Sequence, residues 1–154
     1  NFGSEPVKVP SLDGTGKMSK SENLNATIYL ADEDDTIRKK LKKAKPDVAP
    51  TEPNSPMTEA VENLFQLMQL VSSTEVIGKF KADYDNCSIR FGDMKQQLGE
   101  DMVTFIAPIR ERAIALQQDE ATLRMILKQG AEKARDSASK TIAATRKLIG
   151  INYY

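Results

Sequence analysis

From Met57 onward the apolar residues fall at three- and four-residue spacing, the period of one helix face rather than the alternation of a strand. Met57, Val61, Leu64, Phe65, Met68 and Val71 predict an amphipathic helix, with Ser55 as its N-cap and Pro56 as its first helical residue. Ser73 and Thr74 can cap a shorter helix carrying Val76, Ile77 and Phe80, which the polar stretch from Asp83 to Ser88 would end. A longer stripe follows: Leu98, Met102, Phe105, Ile106, Ile109, Ala113 and Leu116. Pro108 interrupts it, and its missing amide hydrogen and bulky ring predict a kink there. The last segment starts at Asp119 and carries Leu123, Ile126, Leu127, Ala131, Ala134, Ala138, Ile142 and Leu148, with Gly150 as a C-terminal stop. Gly130 is a candidate break that would divide it into two helices.

Upstream the pattern changes. Asp32-Glu33-Asp34-Asp35 is followed by Arg38, Lys39, Lys40, Lys42, Lys43 and Lys45. Carboxylates first and cations last complement a helix dipole, Ile37 and Leu41 supply an i, i+4 apolar pair, and Pro46 stops the run. Four prolines between Pro46 and Pro56 read as an extended linker. Residues 1–31, with Gly3, Gly14, Gly16, Pro6, Pro10 and the alternating Val7 and Val9, suggest strand or loop. The fold class expected is mainly α, a bundle of about five helices behind a short non-helical strip.

Composition narrows the chemistry. Among 154 residues there is no histidine and one cysteine, which rules out Ser-His-Asp and Cys-His catalysis, a His-ligated metal and an intrachain disulfide. Chemistry must run on Lys, Arg, Ser, Thr or carboxylates. No stretch reaches the ~20 apolar residues of a membrane-spanning helix, and a cytoplasmic setting is the default. The first methionine is Met18, which fits a processed protein or a piece of a longer one.

The strip holds Gly14-Thr15-Gly16-Lys17-Met18-Ser19-Lys20-Ser21. Two lysines three apart, flanked by hydroxyl residues and preceded by glycines, suit a mobile cationic loop closing on a polyphosphate, and also an ordinary solvated turn. The Walker spacing is absent. Lys17-Met18-Ser19-Lys20-Ser21 is identical to the second signature of class I aminoacyl-tRNA synthetases. The surrounding text is more particular: Pro10-Ser11-Leu12, Thr36-Ile37-Arg38-Lys39-Lys40, Phe105-Ile106-Ala107-Pro108-Ile109-Arg110-Glu111-Arg112 and Gly130-Ala131-Glu132-Lys133-Ala134 together resemble the C-terminal portion of the bacterial-type tryptophanyl-tRNA synthetase family.

That resemblance implies a division of the chain, with residues 1–25 ending a Rossmann-like catalytic domain and residues 26–154 forming a helical tRNA-binding domain. It implies that Lys17 and Lys20 bind ATP phosphates and stabilise departing pyrophosphate, that Ser19 and Ser21 add neutral donors, and that Met18 packs the loop. ATP with Mg2+, tRNA(Trp) and tryptophan are the implied ligands, with no protein metal ligand in this segment and a homodimer at full length. The family's histidine-bearing first signature and tryptophan pocket are missing, so the chain by itself is expected to be inactive. Arg110, Arg112, Arg124, Lys128, Lys133 and Arg135 are the candidate tRNA contacts, although Glu111, Glu120, Glu132 and Asp136 between them also describe a solvated charged surface. Met57, Met68, Met94, Met102 and Met125 read as packing residues, Cys87 has no role, and Tyr153 and Tyr154 read as a frayed end. The alternatives are a tyrosyl-tRNA synthetase fragment and a non-catalytic helical RNA-binding or interaction module.

Overall fold

A computed structural model describes residues 8–14, 16–19, 23–44 and 48–151. They form five helices in chain order: α1 (Asp34–Lys43), α2 (Glu59–Val71), α3 (Thr74–Asp85), α4 (Phe91–Gln118) and α5 (Glu120–Leu148). The mainly α expectation holds. Of the strand or loop expected for the N-terminal strip, the described part is loop with one antiparallel bridge, Pro10 with Lys17. Val7, Pro46, Tyr153 and Tyr154, named above, lie outside the described residues.

Local signals account for the start of α3 and both ends of α5. The backbone amide of Val76 donates to Ser73 Oγ (3.3 Å), capping α3 as expected. Asp119 caps α5 through Oδ1, which accepts from the Thr122 amide (3.0 Å), while Oδ2 accepts from the Thr122 hydroxyl (2.5 Å). These bonds hold the Asp119 carboxyl below its ordinary pKa. At the other end Gly150 has φ +74, and the amide of Ile151 donates back to the Arg146 carbonyl, closing the terminus as the glycine predicted.

Two expectations are corrected. α2 starts at Glu59 with Thr58 as N-cap, not at Ser55-Pro56. Ser55 Oγ donates to the Glu52 carbonyl (2.6 Å), and the Pro56 carbonyl accepts from Tyr84 Oη (3.2 Å), so both groups serve a turn and a distant tyrosine instead of a helix start. Gly130 does not divide α5, which runs unbroken from Glu120 to Leu148.

The chain falls into two compact units, Asn1–Arg110 and Glu111–Tyr154. Within the first unit, Leu12 joins one apolar cluster with Ile37 and Leu41 of α1, Val61, Leu64 and Met68 of α2, Phe80 and Tyr84 of α3, and Met94, Leu98 and Ile106 of α4. Met57, Met68, Met94 and Met102 belong to this cluster or pack against it, as their spacing suggested, whereas Met125 on α5 is 53% exposed. In the second unit, α5 keeps its apolar stripe but buries none of it: Leu127 is 69% exposed and Leu148 86%.

Lys95 is a polar member of the buried set, 7% exposed, and its ammonium donates to the Ala44 carbonyl at the C-terminus of α1 (2.5 Å). Burial lowers its pKa below the ordinary 10.5. Below 10.5 the unfolded chain therefore holds this proton more tightly than the folded one, so stability should rise with pH through the window beneath 10.5. Urea unfolding of the native chain and Lys95→Met, compared from pH 7 to 10, should show the native chain gaining relative to the variant; a flat or falling difference would contradict the buried amine.

Candidate functional site

The lysine loop grows from a tight turn. Gly14 and Gly16 both have φ +80, a left-handed conformation that side chains other than glycine rarely adopt. The Gly14 amide donates to the Ser11 carbonyl (3.2 Å), that of Ser11 to Gly16 (3.2 Å), and that of Met18 to Val9 (2.9 Å). Ser11 Oγ, in a buried residue, donates to Asp13 Oδ1 (2.8 Å). The glycines that the sequence placed ahead of the lysines thus reverse the chain and bring residues 16–18 alongside 9–11.

On this turn the three described signature residues divide their roles. Lys17 is exposed, free to reach an anion. Met18 is partly buried and packs against the apolar cluster. Ser19 is half-buried, and its carbonyl accepts from Thr27 Oγ1 (3.0 Å). Lys20 and Ser21 lie outside the described residues. An exposed cation on a hydrogen-bonded turn, anchored by an apolar side chain, can present positive charge to a phosphate without supplying acid or base.

Behind the loop stands a polar cluster that no sequence spacing announced. Lys40 Nζ donates to the Thr27 carbonyl (2.9 Å) and to Asp32 Oδ2 (2.6 Å), and lies 4.8 Å from the centre of the Tyr29 ring. The Tyr29 amide donates to the same Asp32 oxygen (2.9 Å). Both charged side chains are largely covered, 12% exposed for Lys40 and 14% for Asp32. The sequence reads them as charges complementing a helix dipole; the structure uses them as a half-buried ion pair.

The candidate tRNA cations separate. Arg110 points into the first unit, where Nη1 donates to the Asp32 carbonyl and Nη2 to Asp34 Oδ1, each at 2.5 Å. With 13% of its side chain exposed, it ties α4 to the start of α1. Arg124 pairs with Glu120 one turn earlier on an exposed face. Arg112, Lys128, Lys133 and Arg135 are exposed and make no ion pair among the described residues. At about 100° per residue, Arg124, Lys128 and Arg135 share one face of α5 and Lys133 takes the opposite one.

A separate cleft of about 430 Å³ is lined by Arg38 and Lys42 of α1 and by Gly92, Lys95, Gln96, Gly99 and Glu100 of α4. Arg38 spans it as a fork, Nε to Glu100 Oε1 (2.8 Å) and Nη2 to Oε2 (2.9 Å). These bonds hold the Glu100 carboxyl below its ordinary pKa and raise that of the guanidinium. No group of three or more His, Cys, Asp or Glu side chains suited to a metal occurs among the described residues. None of their helices is long and apolar enough to cross a membrane.

Comparison with known proteins gives a consistent set of similarities. The family model described as tRNA synthetases class I (W and Y) matches residues 5–107. The tryptophan–tRNA ligase of Porphyromonas gingivalis is 53% identical over 148 residues, covering 96% of this chain and 45% of that protein. The tryptophan–tRNA ligase of Caulobacter vibrioides is 38% identical over 152 residues, 94% of this chain and 42% of that protein. Among solved structures, tryptophanyl-tRNA synthetase from Campylobacter jejuni, in complex with ADP and tryptophan, superposes with TM-score 0.71 at 26% identity, over 95% of this chain and 44% of that one. Tyrosyl-tRNA synthetase from Aeropyrum pernix shares the fold, with TM-score 0.57 at 20% identity over 79% of this chain and 38% of that one. The chain thus spans less than half the length of the curated relatives it matches.

Proposed function

Because the chain belongs to the class I tRNA synthetases of the tryptophan and tyrosine group, we propose that it supplies the phosphate-binding loop and the helical tRNA-binding part of a tryptophan–tRNA ligase. The observation that carries the reading is the Lys17-Met18-Ser19-Lys20-Ser21 signature on a glycine turn, with Lys17 exposed and Met18 packed beneath it. The identity of 53% to a tryptophan–tRNA ligase favours tryptophan over tyrosine.

In this reading the tryptophan carboxylate attacks the α-phosphorus of ATP, an oxygen–phosphorus bond forms, and the bond to the β-phosphate oxygen breaks to release pyrophosphate. Negative charge accumulates on the departing group, where Lys17 and Lys20 stabilise it and the Ser19 and Ser21 donors assist. Mg2+ arrives with the nucleotide and adds charge neutralisation at the phosphates. Residues up to about 25 close the nucleotide-binding domain and the helices beyond them approach tRNA(Trp). Arg112, Lys128, Lys133 and Arg135 carry the exposed charge suited to its backbone, whereas Arg110 acts within the fold. Tryptophan and most of the adenine contacts belong to an N-terminal half, and the assembled enzyme works as a homodimer.

The chain assayed by itself should give no tryptophan-dependent ATP–pyrophosphate exchange above background. Joined to the N-terminal half characteristic of its relatives, it should exchange with tryptophan and not with tyrosine. Exchange by the isolated chain would overturn the division of labour. Tyrosine dependence in the joined protein would move the assignment to the sister enzyme, and no exchange with either amino acid would favour a non-catalytic RNA-binding module.

A further inference from the structure

The signature loop is not held by its own turn alone. At its far side the Ser19 carbonyl accepts from Thr27 Oγ1, and Ser19 is the residue immediately before Lys20. Thr27 is 6% exposed, so its hydroxyl has no bulk water to fall back on. The Thr27 carbonyl in turn accepts from Lys40 Nζ, which is locked by Asp32 and covered by the Tyr29 ring. The Asp32 carbonyl accepts from Arg110. An unbroken series of polar contacts therefore runs from the loop main chain through Thr27, Lys40 and Asp32 to Arg110 on α4, all inside the first compact unit.

Covering most of a lysine side chain costs hydration, and Lys40 offsets that cost with a carboxylate, a carbonyl and a ring face. Exposed Lys39, Lys42 and Lys43 beside it would serve a helix dipole equally well without burial. The specific consequence of placing Lys40 here is that the Thr27 backbone is pinned, and with it the hydroxyl that fixes Ser19. We propose that Thr27 and Lys40 are positioning residues for the phosphate-binding loop, setting the path of its main chain so that the signature lysines meet the departing pyrophosphate. The inference rests on the ligase reading above.

Stabilisation by fixed charges falls steeply with misplacement, on the order of a hundredfold for about 1 Å. Thr27→Val keeps the shape and removes only the hydroxyl. In the ligase with both halves present, it lowers kcat for tryptophan-dependent pyrophosphate exchange by about tenfold and leaves KM for tryptophan within about twofold. Thr27→Ser, which keeps the donor, recovers most of that loss. Lys40→Met lowers kcat further, and Lys40→Arg recovers part of it. Native kcat in Thr27→Val overturns the proposal, as does a loss that Thr27→Ser shares or one matched by an equal rise in tryptophan KM. Should Thr27→Val fail to fold by circular dichroism, Lys40→Arg against Lys40→Met decides on the same criteria: partial recovery of kcat at constant KM supports the assignment, and equal losses overturn it. Absence of exchange in the unsubstituted protein would instead overturn the ligase reading, taking this inference with it.

Discussion

Lys17→Ala, in the ligase with both halves present, is expected to lower kcat for pyrophosphate exchange by roughly 10²- to 10³-fold while KM for tryptophan changes by less than about twofold. The side chain is exposed on a turn whose backbone is fixed by the Ser11–Gly16 and Val9–Met18 hydrogen bonds, so its removal takes away a charge without disturbing a core. A compact ammonium on a flexible stem suits a phosphate whose charge grows only as the bond breaks. Binding of tryptophan precedes that moment and does not draw on this charge, which is why kcat and KM should part. Lys20→Ala should behave alike, and the two together should cost less than the product of the single effects if both lysines act on one leaving group. Steady-state exchange kinetics with tryptophan and ATP varied in turn make the measurement. An unchanged kcat with a raised KM for ATP would assign Lys17 to ground-state binding instead.

The second large effect is on stability. Leu41→Ala should destabilise the chain by about 2–5 kcal/mol. Leu41 lies on α1, is fully buried, and joins the cluster that α2, α3 and α4 build around it. Truncation removes transfer energy and leaves a cavity, because the helices around it cannot all close inward at once. Leu127→Ala on α5, where the side chain is 69% exposed, should change stability by no more than about 0.5 kcal/mol. Urea unfolding of both variants, followed by far-ultraviolet circular dichroism, tests the contrast. Comparable losses at the two sites would mean that the apolar stripe of α5 is covered after all.

Both experiments probe residues whose positions along the chain were informative from the start. Ile37 and Leu41 form an i, i+4 pair between an acidic start and a basic end, and they do face the core. Ser73, Asp119 and Gly150 act within three to five residues of themselves, so their capping follows from local chemistry. The glycines before Lys17 are needed for their positive φ, and the signature they introduce was legible as text. The start of α2 was not. Its Ser55-Pro56 pair has the right local form, but Tyr84, 28 residues away, takes the Pro56 carbonyl. Arg110 was equally illegible: among many helix-surface cations it looked like a tRNA contact, and its partners on the segment before α1 and on α1 itself lie 78 and 76 residues back.

The amino-acid sequence by itself determined the helical class, the start of α3 and both ends of α5, the glycine turn and the family signature, since each depends on residues close together along the chain. Tertiary structure alone decided which of the many charges are buried. Half-buried Lys40 and buried Lys95 are indistinguishable from their neighbours by composition or spacing, and only the approach of distant carbonyls and a carboxylate makes their withdrawal from water tolerable. It also decided that Leu98, Met102 and Ile106 of the α4 stripe are core while Phe105 beside them is 50% exposed and the similar stripe of α5 is not buried. Periodicity prepares an apolar face, but burial requires another surface against it.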